Sequence, residues 1–464
     1  MLFNTLEFII FWIVVVVIYY LIPNNKVRKG FLLAASYYFY ACWNVAFLAI
    51  LLFETLLSYG VALKFGSEKF KNKWTLAGTI ILLLAPLACF KYLNFFFSSV
   101  GDLVALCGWP MTVPEFKLLL PIGISFYTFM SIGYVVDVYK EKIAAEKNLL
   151  DYALFVGFFP QIASGPIGRA PQMLPQFKEK HPLLYANIAA GAKMMLWGFF
   201  MKLVVGDRAG IYVDTVFGNY AHHNGVSLML ATFMYTIQIY CDFAGYSLIA
   251  IGTAKTMGFD LMTNFRRPYF ATSIADFWRR WHISLSTWFR DYIYFPLGGS
   301  RCANWKIYRN LLITFLVSGL WHGAAYNFIL WGGYHAVIQI VERICKRPKE
   351  VKGVRRIADI ALTFVLAAYG WMMFYAPDMQ FIVDVTKGYF NLGAPYIHQT
   401  TIFFFAIGFA LLFAKDFKDE FLPDRHMLLS SKRVWVRYLS FVGLAAVIVL
   451  FGVLGGGQFI YFKF

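Results

Sequence analysis

The run Leu311-Leu312-Ile313-Thr314-Phe315-Leu316-Val317-Ser318-Gly319-Leu320-Trp321-His322-Gly323-Ala324-Ala325 opens a stretch, 311–341, that contains no Asp, Glu, Lys or Arg. As one helix it would be about 46 Å long, against a bilayer core of about 30 Å. It is therefore long and apolar enough to enter a membrane. His322 lies in its middle, where an ionisable side chain costs free energy and marks a functional site by default. Imidazole is also the side chain best suited to moving a proton near neutral pH.

The rest of the chain agrees with a membrane setting. Its 464 residues are 60% hydrophobic, 20% aromatic and 14% charged, with mean hydropathy +0.60. An ordinary soluble domain carries about 25% charged residues, so that class is excluded. The net charge of +17 falls in short segments between apolar runs. Nucleic acid binding needs a contiguous basic soluble domain, so no nucleic acid partner is expected. Membrane lipid is. The six cysteines, Cys42, Cys89, Cys107, Cys241, Cys302 and Cys345, show neither paired nor metal-ligand spacing. They read as reduced and structural, with no metal expected.

Cytoplasmic loops carry an excess of Lys and Arg, which gives an expected topology. Lys26, Arg28 and Lys29 follow the apolar run 8–22 and place that loop in the cytoplasm. The run lacks a basic leader and a small-residue cleavage site, and reads as a retained first helix. Residues 31–63 form a hairpin bent near Asn44; 75–97 crosses outward and 118–139 returns. The Gly- and Pro-rich segment 152–166 is re-entrant. Residues 188–205 cross to an outer loop, 206–225, and 226–253 come back. After the basic segment 255–309 and the His322 run, 343–356 holds seven Lys or Arg and one acid. Residues 357–375, 401–413 and 434–454 then cross, leaving the end of the chain outside. With basic segments on both sides of it, the His322 run enters and returns, turning near 318–325 on Gly319, Gly323 and Ala324. Irregular backbone at that depth is tolerated only within protein or around a water-filled cavity. A single straight crossing is the alternative. The chain reads as one domain, 1–464, without a repeat.

A second stretch, 273–294, contains Asp276-Phe277-Trp278-Arg279-Arg280-Trp281-His282-Ile283-Ser284-Leu285-Ser286. On one helix, Phe277, Trp281, Leu285, Trp288 and Tyr292 share a face, with Arg280, Ser284 and Thr287 elsewhere. That pattern predicts an interfacial helix at the headgroup level, with His282 near Trp278, Leu285 and Phe289.

Together these stretches carry a resemblance. The run from Arg279 through His282 to Trp288-Phe289-Arg290-Asp291-Tyr292 and the run Ser318-Gly319-Leu320-Trp321-His322-Gly323-Ala324 resemble the two signatures of membrane-bound O-acyltransferases. Pro296-Leu297-Gly298-Gly299-Ser300, Pro160-Gln161 and Gly165-Pro166 are similar to the bacterial branch that includes alginate O-acetyltransferases. The resemblance implies an all-α polytopic membrane fold of about eleven transmembrane or re-entrant helices around a central tunnel. It implies that His322 is catalytic and that His282 is the second characteristic polar position. It also implies acetyl-CoA as a cytoplasmic co-substrate with no bound cofactor, in a bacterial inner membrane. Its partner would be a separate extracytoplasmic, esterase-like acetyltransferase, and no nucleophile elbow for that step occurs in this chain. A buried neutral imidazole suits removal of a hydroxyl proton during attack on a thioester.

The chain ends Gly455-Gly456-Gly457, then Phe459-Ile460-Tyr461-Phe462-Lys463-Phe464, an F-x-Y-x-x-F spacing within the tail 455–464. The glycines permit a turn. Such endings resemble the tyrosine motif of acyltransferases that modify surface polymers, which implies that Tyr461 relays the acyl group as an aryl ester. An aromatic interface anchor is the other reading. Asp242 and Asp276 are expected to pair with Arg279, Arg280 or a histidine. His335, on the opposite side of a continuous helix from His322, is given a structural role. His222 and His223 are expected in a solvated loop, and Asp137 to cap a helix. Acetylation of alginate, cellulose, peptidoglycan or a similar polysaccharide is the leading function. D-alanyl transfer to teichoic acid and a proton-coupled transporter or flippase are the alternatives. The last predicts inverted repeats, and none is visible.

Overall fold

The computed structural model describes residues 1–67, 69–109, 113–163, 165–348, 351–453, 455 and 460. These residues are helical and connecting segments, with no strand among them. Chain contacts divide them into two compact units, 1–191 with 253–262 and 192–252 with 263–464.

The first unit holds α1 (Leu6–Leu21), α2 (Asn25–Ala41), α3 (Val45–Lys64), α4 (Lys73–Leu87), α5 (Leu93–Leu106), α6 (Ile124–Tyr139), α7 (Leu149–Gly157), α8 (Phe159–Ile162) and α9 (Ala170–Lys178). Asn44 caps α3 by accepting from the Ala46 N–H, so the hairpin bends where expected. A π-helical turn, Ala88–Tyr92, joins α4 to α5. The helix expected from 118 begins only at Ile124, after Gly123 at φ +72°. Nearly every residue of α6 is buried, so it is a core helix sheathed by protein. Arg28, counted above as a loop charge, is itself buried. It donates to the carbonyls of Ile22 and His181 and stacks on Tyr19. Lys29 pairs with Asp151.

The chain passes between the units within α10 (Tyr185–Phe199) and near the end of α12 (Gly225–Thr256). A π-helical turn, Phe200–Gly206, leads from α10 into α11 (Asp207–Phe217). The loop expected at 206–225 is therefore helical over its first half, because the apolar positions Val213, Val216 and Phe217 are buried. The second unit continues with α13 (Ile274–Arg280), α14 (Ile283–Phe289), α15 (Asn304–His322), α16 (Tyr326–Ile344), α17 (Gly353–Tyr375), α18 (Met379–Gly388), α19 (Gln399–Phe421) and α20 (Val434–Phe451).

Among the described residues, seven helices are long and apolar enough to cross a membrane: Val45–Lys64, Lys73–Leu106, Tyr185–Phe217, Gly225–Thr256, Gly353–Tyr375, Gln399–Phe421 and Val434–Phe451. Their surfaces differ in what they face. Leu439, Val442, Val449 and Leu450 of α20 stand exposed, as lipid-facing side chains do, whereas most of α12 is enclosed by protein. This is an all-α polytopic membrane protein.

Candidate active site

The His322 stretch is not one helix. It breaks at residues 323–325, where Gly323 and Ala325 are extended (φ −162° and −155°). α15 and α16 then run as a hairpin, each 19 residues, or about 28 Å. The straight crossing is thereby replaced by a reversal, and α15 starts earlier than the apolar run, at Asn304. The hairpin closes backbone on backbone. A Cβ on Gly319 would lie 2.2 Å from the Phe328 carbonyl oxygen, and one on Gly332 would lie 2.3 Å from that of Phe315. Small residues permit such an approach between helices that lack a hydrophobic driving force in lipid.

His322 ends α15 and is buried. Its ring lies among those of Trp321 (centroids 4.9 Å), Trp331 (5.0 Å) and Phe374 (5.3 Å). Asn327, just past the turn, donates its Nδ2–H to the Ala376 carbonyl at 2.9 Å. That bond fixes the end of α17, and so Phe374, against the hairpin. Asn310, Thr314, Ser318 and His322 are all buried and recur every four residues, so one face of α15 is polar along its length.

The helix expected over 273–294 is broken at His282. α13 stops at Arg280, Trp281 is extended, and His282 takes a left-handed conformation (φ +43°, ψ +54°) before α14. Such a conformation costs a non-glycine residue about 1–2 kcal/mol, and His is among the types that adopt it more readily. Bonds to the preceding segment offset that cost. The Ile283 N–H donates to the Asn264 carbonyl (2.9 Å), and the Arg266 N–H to the Arg280 carbonyl (2.9 Å). The turn swings His282 off the aromatic flank and against Phe243 (4.6 Å), with Trp321 at 6.0 Å. Trp281 and Phe277 do not lie in headgroups either. Both are fully buried, and Trp281 packs on Trp371 (4.6 Å).

Asn264 was not singled out in the sequence, and it fixes the histidine's proton. Its Oδ1 accepts from the Ser284 N–H (3.3 Å), the Ser284 Oγ–H (2.9 Å) and His282 Nδ1 (3.1 Å). A backbone N–H can only donate, so the atom facing it is the oxygen. His282 Nδ1 must then carry hydrogen, and Nε2 is the unprotonated nitrogen. Removal from water pulls the imidazole pKa down to about 3, so the ring is neutral at physiological pH. His282 and His322 share the Trp321 ring as a neighbour.

Charged residues brace this core. Glu342 at the end of α16 accepts from the Ile274 and Ala275 N–H groups (2.8 and 3.1 Å). It caps the first turn of α13 together with Ser273, which accepts from the Asp276 N–H. Asp276 pairs with Arg279 and Arg280 as expected (3.4 and 3.0 Å). Glu420 collects Arg267, Arg280 and Arg356 at 2.9, 3.0 and 3.3 Å. Asp242 pairs instead with Lys202, a partner that sequence reading missed. His335 sits on α16, not on the helix of His322, so the argument from opposite faces does not apply. It joins the same aromatic cluster through Trp331 (5.0 Å) and Trp278 (5.2 Å). His222 is exposed and His223 half-buried. Asp137 pairs with Lys142 (3.0 Å). Tyr461 lies outside the described residues. Among those described, no three His, Cys, Asp or Glu side chains are grouped to hold a metal ion.

Comparison with known proteins identifies the family. Residues 31–376 match the model of MBOAT, the membrane-bound O-acyltransferase family. A protein of Pseudomonas putida named "Probable alginate O-acetylase AlgI" is 37% identical over 400 residues, 85% of this chain and 81% of its own length. The peptidoglycan O-acetyltransferase of Helicobacter pylori is 34% identical over 395 residues, 78% of this chain and 74% of that protein. The teichoic acid D-alanyltransferase of Bacillus subtilis is 29% identical over 280 residues, 56% and 70% of the two chains. This chain belongs to the membrane-bound O-acyltransferase family.

Proposed function

We propose that this acyltransferase moves acetyl groups from cytoplasmic acetyl-CoA across a bacterial inner membrane, for O-acetylation of an extracytoplasmic polysaccharide. The observation that carries the proposal is the pair of enclosed histidines sharing Trp321, with His322 at the break of a hairpin. In the proposed reaction, neutral His322 accepts the proton of the attacking hydroxyl as its oxygen bonds to the thioester carbonyl carbon. Collapse of the tetrahedral intermediate breaks the C–S bond, and the imidazolium returns the proton to the thiolate. Enclosure in aromatic side chains keeps water from competing for the thioester. His282 assists, with its proton held on Nδ1 by Asn264 and its Nε2 able to accept a hydrogen bond.

The hydroxyl assigned to this step is that of Tyr461. Its aryl ester would present the acetyl group on the outer side, where a separate esterase-like acetyltransferase completes transfer to the polymer. The names of the Pseudomonas and Helicobacter relatives support acetyl over D-alanyl transfer. The test uses purified protein and acetyl-CoA labelled in the acetyl group. Label is expected on the C-terminal peptide of wild type and absent from His322→Ala and Tyr461→Phe. Full labelling of His322→Ala would remove it as the base. Polymer acetylation that persists in cells carrying Tyr461→Phe would remove the relay.

A further inference from the structure

The second unit contains a buried ionic group that the reaction above does not use. Lys202 lies on the π-helical turn Phe200–Gly206 and is 1% exposed. It pairs with Asp207 at 2.8 Å and with Asp242 of α12. One cation between two carboxylates leaves a net negative charge when all three are ionised. A buried carboxylate needs hydrogen-bond donors as well as a counter-ion. One of those donors comes from the far end of the chain: the Ile460 N–H donates to Asp242 Oδ2 at 2.7 Å. Ile460 is itself buried.

That bond is the last of three. Arg208 donates its Nη2–H to the Phe451 carbonyl where α20 ends (2.7 Å). The Val453 N–H donates to the Leu203 carbonyl (3.0 Å). Gly455 then takes a left-handed turn (φ +85°), and the Ile460 amide meets Asp242. The carbonyl of Leu203 and the side chains of Lys202 and Arg208 all belong to the π-helical turn or the residues that follow it. π-helical turns recur at functional sites because they re-aim backbone and side chains. An interface anchor would present its aromatic residues to lipid headgroups. Here Ile460 is drawn back onto the protein's own interior.

We infer that Lys202, Asp207 and Asp242 form a seat for the C-terminal segment, and that Asp242 positions Tyr461 by holding the amide of the residue before it. The positioning part rests on Tyr461 carrying the acyl group; the seat does not. Consecutive Cα atoms lie about 3.8 Å apart, so fixing the Ile460 amide restricts where the next residue can stand.

Two measurements on full-length protein in lipid nanodiscs test this. Hydrogen–deuterium exchange of the C-terminal peptide is expected to be slow in wild type, and faster by about tenfold or more in Asp242→Ala. That is the scale of one hydrogen bond to a charged acceptor. Ile460→Pro deletes the donor without touching the triad, whereas Ile460→Ala keeps it. Ester formation at Tyr461 is expected to fall about tenfold in Ile460→Pro and to stay within about twofold of wild type in Ile460→Ala. Ile460→Pro removes one backbone donor and leaves the side chains of Lys202, Asp207 and Asp242 in place, which guards against misfolding of Asp242→Ala. Exchange at free-chain rates in wild type would overturn the seat. Equal ester in Ile460→Pro and wild type would overturn the positioning role. Protection without any ester in wild type would overturn the relay alone and uphold the seat.

Discussion

His282 is fixed by polar atoms, whereas His322 is set among flat rings. The first occupies a left-handed corner, and Asn264 assigns its proton to Nδ1. The second ends a helix in a slot made by Trp321, Trp331 and Phe374. A proton acceptor must change its protonation state during turnover, which is the role proposed for His322. A residue whose proton is held by a buried amide oxygen is better suited to orienting and accepting a hydrogen bond. In the proposed reaction His322 carries the mobile proton, and His282, whose Nδ1 proton faces Asn264 Oδ1, orients and accepts a hydrogen bond.

The most severe way to break this division is His322→Ala. It should lower acyl transfer by about 10²–10⁴-fold while size-exclusion chromatography shows a normally folded protein. Equal losses from His322→Ala and His282→Asn would erase the distinction. Next, Asn264→Leu strands two donors of Ser284 and one of His282, at about 1–3 kcal/mol for each buried group left unpaired. Its thermal midpoint and its turnover should both fall. Asn264→Asp keeps the acceptor and adds a charge that favours the imidazolium, so it should move the acid limb of the pH–rate profile upward.

Gly319→Ala addresses the slot rather than the corner. A methyl aimed at the Phe328 carbonyl should cost about 1–3 kcal/mol through overpacking and slow transfer without shifting its pH profile. The smallest effect concerns the left-handed corner. His282→Asn should be more stable than His282→Val by about 1–2 kcal/mol in denaturation midpoints, since a β-branched residue at φ +43° is strained. The pH dependence of stability should separate them from wild type too. The folded imidazole titrates near 3 and the unfolded one near 6.5. His282 thus adds no pH dependence above 6.5. As pH falls from 6.5 towards 3 the unfolded state gains the proton, and stability drops by up to about 1.4 kcal/mol per unit. His282→Asn should flatten that slope.

Much of this was legible in the sequence. The basic segments on both sides of 311–341 and the small residues near His322 predicted a reversal, and α15 and α16 supply it. The loop charges on both sides of 31–63 predicted a bend near Asn44, and Asn44 caps α3 there. Positions that depend on distant partners were not legible. Helical periodicity carried straight through His282, because a left-handed residue leaves no mark on the spacing of apolar side chains. Asn264 is one polar residue in a basic segment, and only the fold shows what its oxygen accepts. Arg28 and Lys29 counted as loop charges, yet one is buried on carbonyls and the other paired. Hydropathy cannot tell a free lysine from an engaged one. The wheel that placed His335 opposite His322 assumed one helix where there are two.

The double acceptance by Glu342 has a mechanical consequence. Its carboxylate grips the first turn of α13 from the far end of the hairpin's second arm, while Trp278 of α13 packs on Trp331 of that same arm. The two helices are therefore riveted at two separated points, and one cannot slide along the other without breaking a charged joint. A displacement of the hairpin would carry α13 with it and, through Trp281, drag the corner that aims His282. Both histidines then travel as cargo of one lever, so a distortion that misplaces one is transmitted to the other.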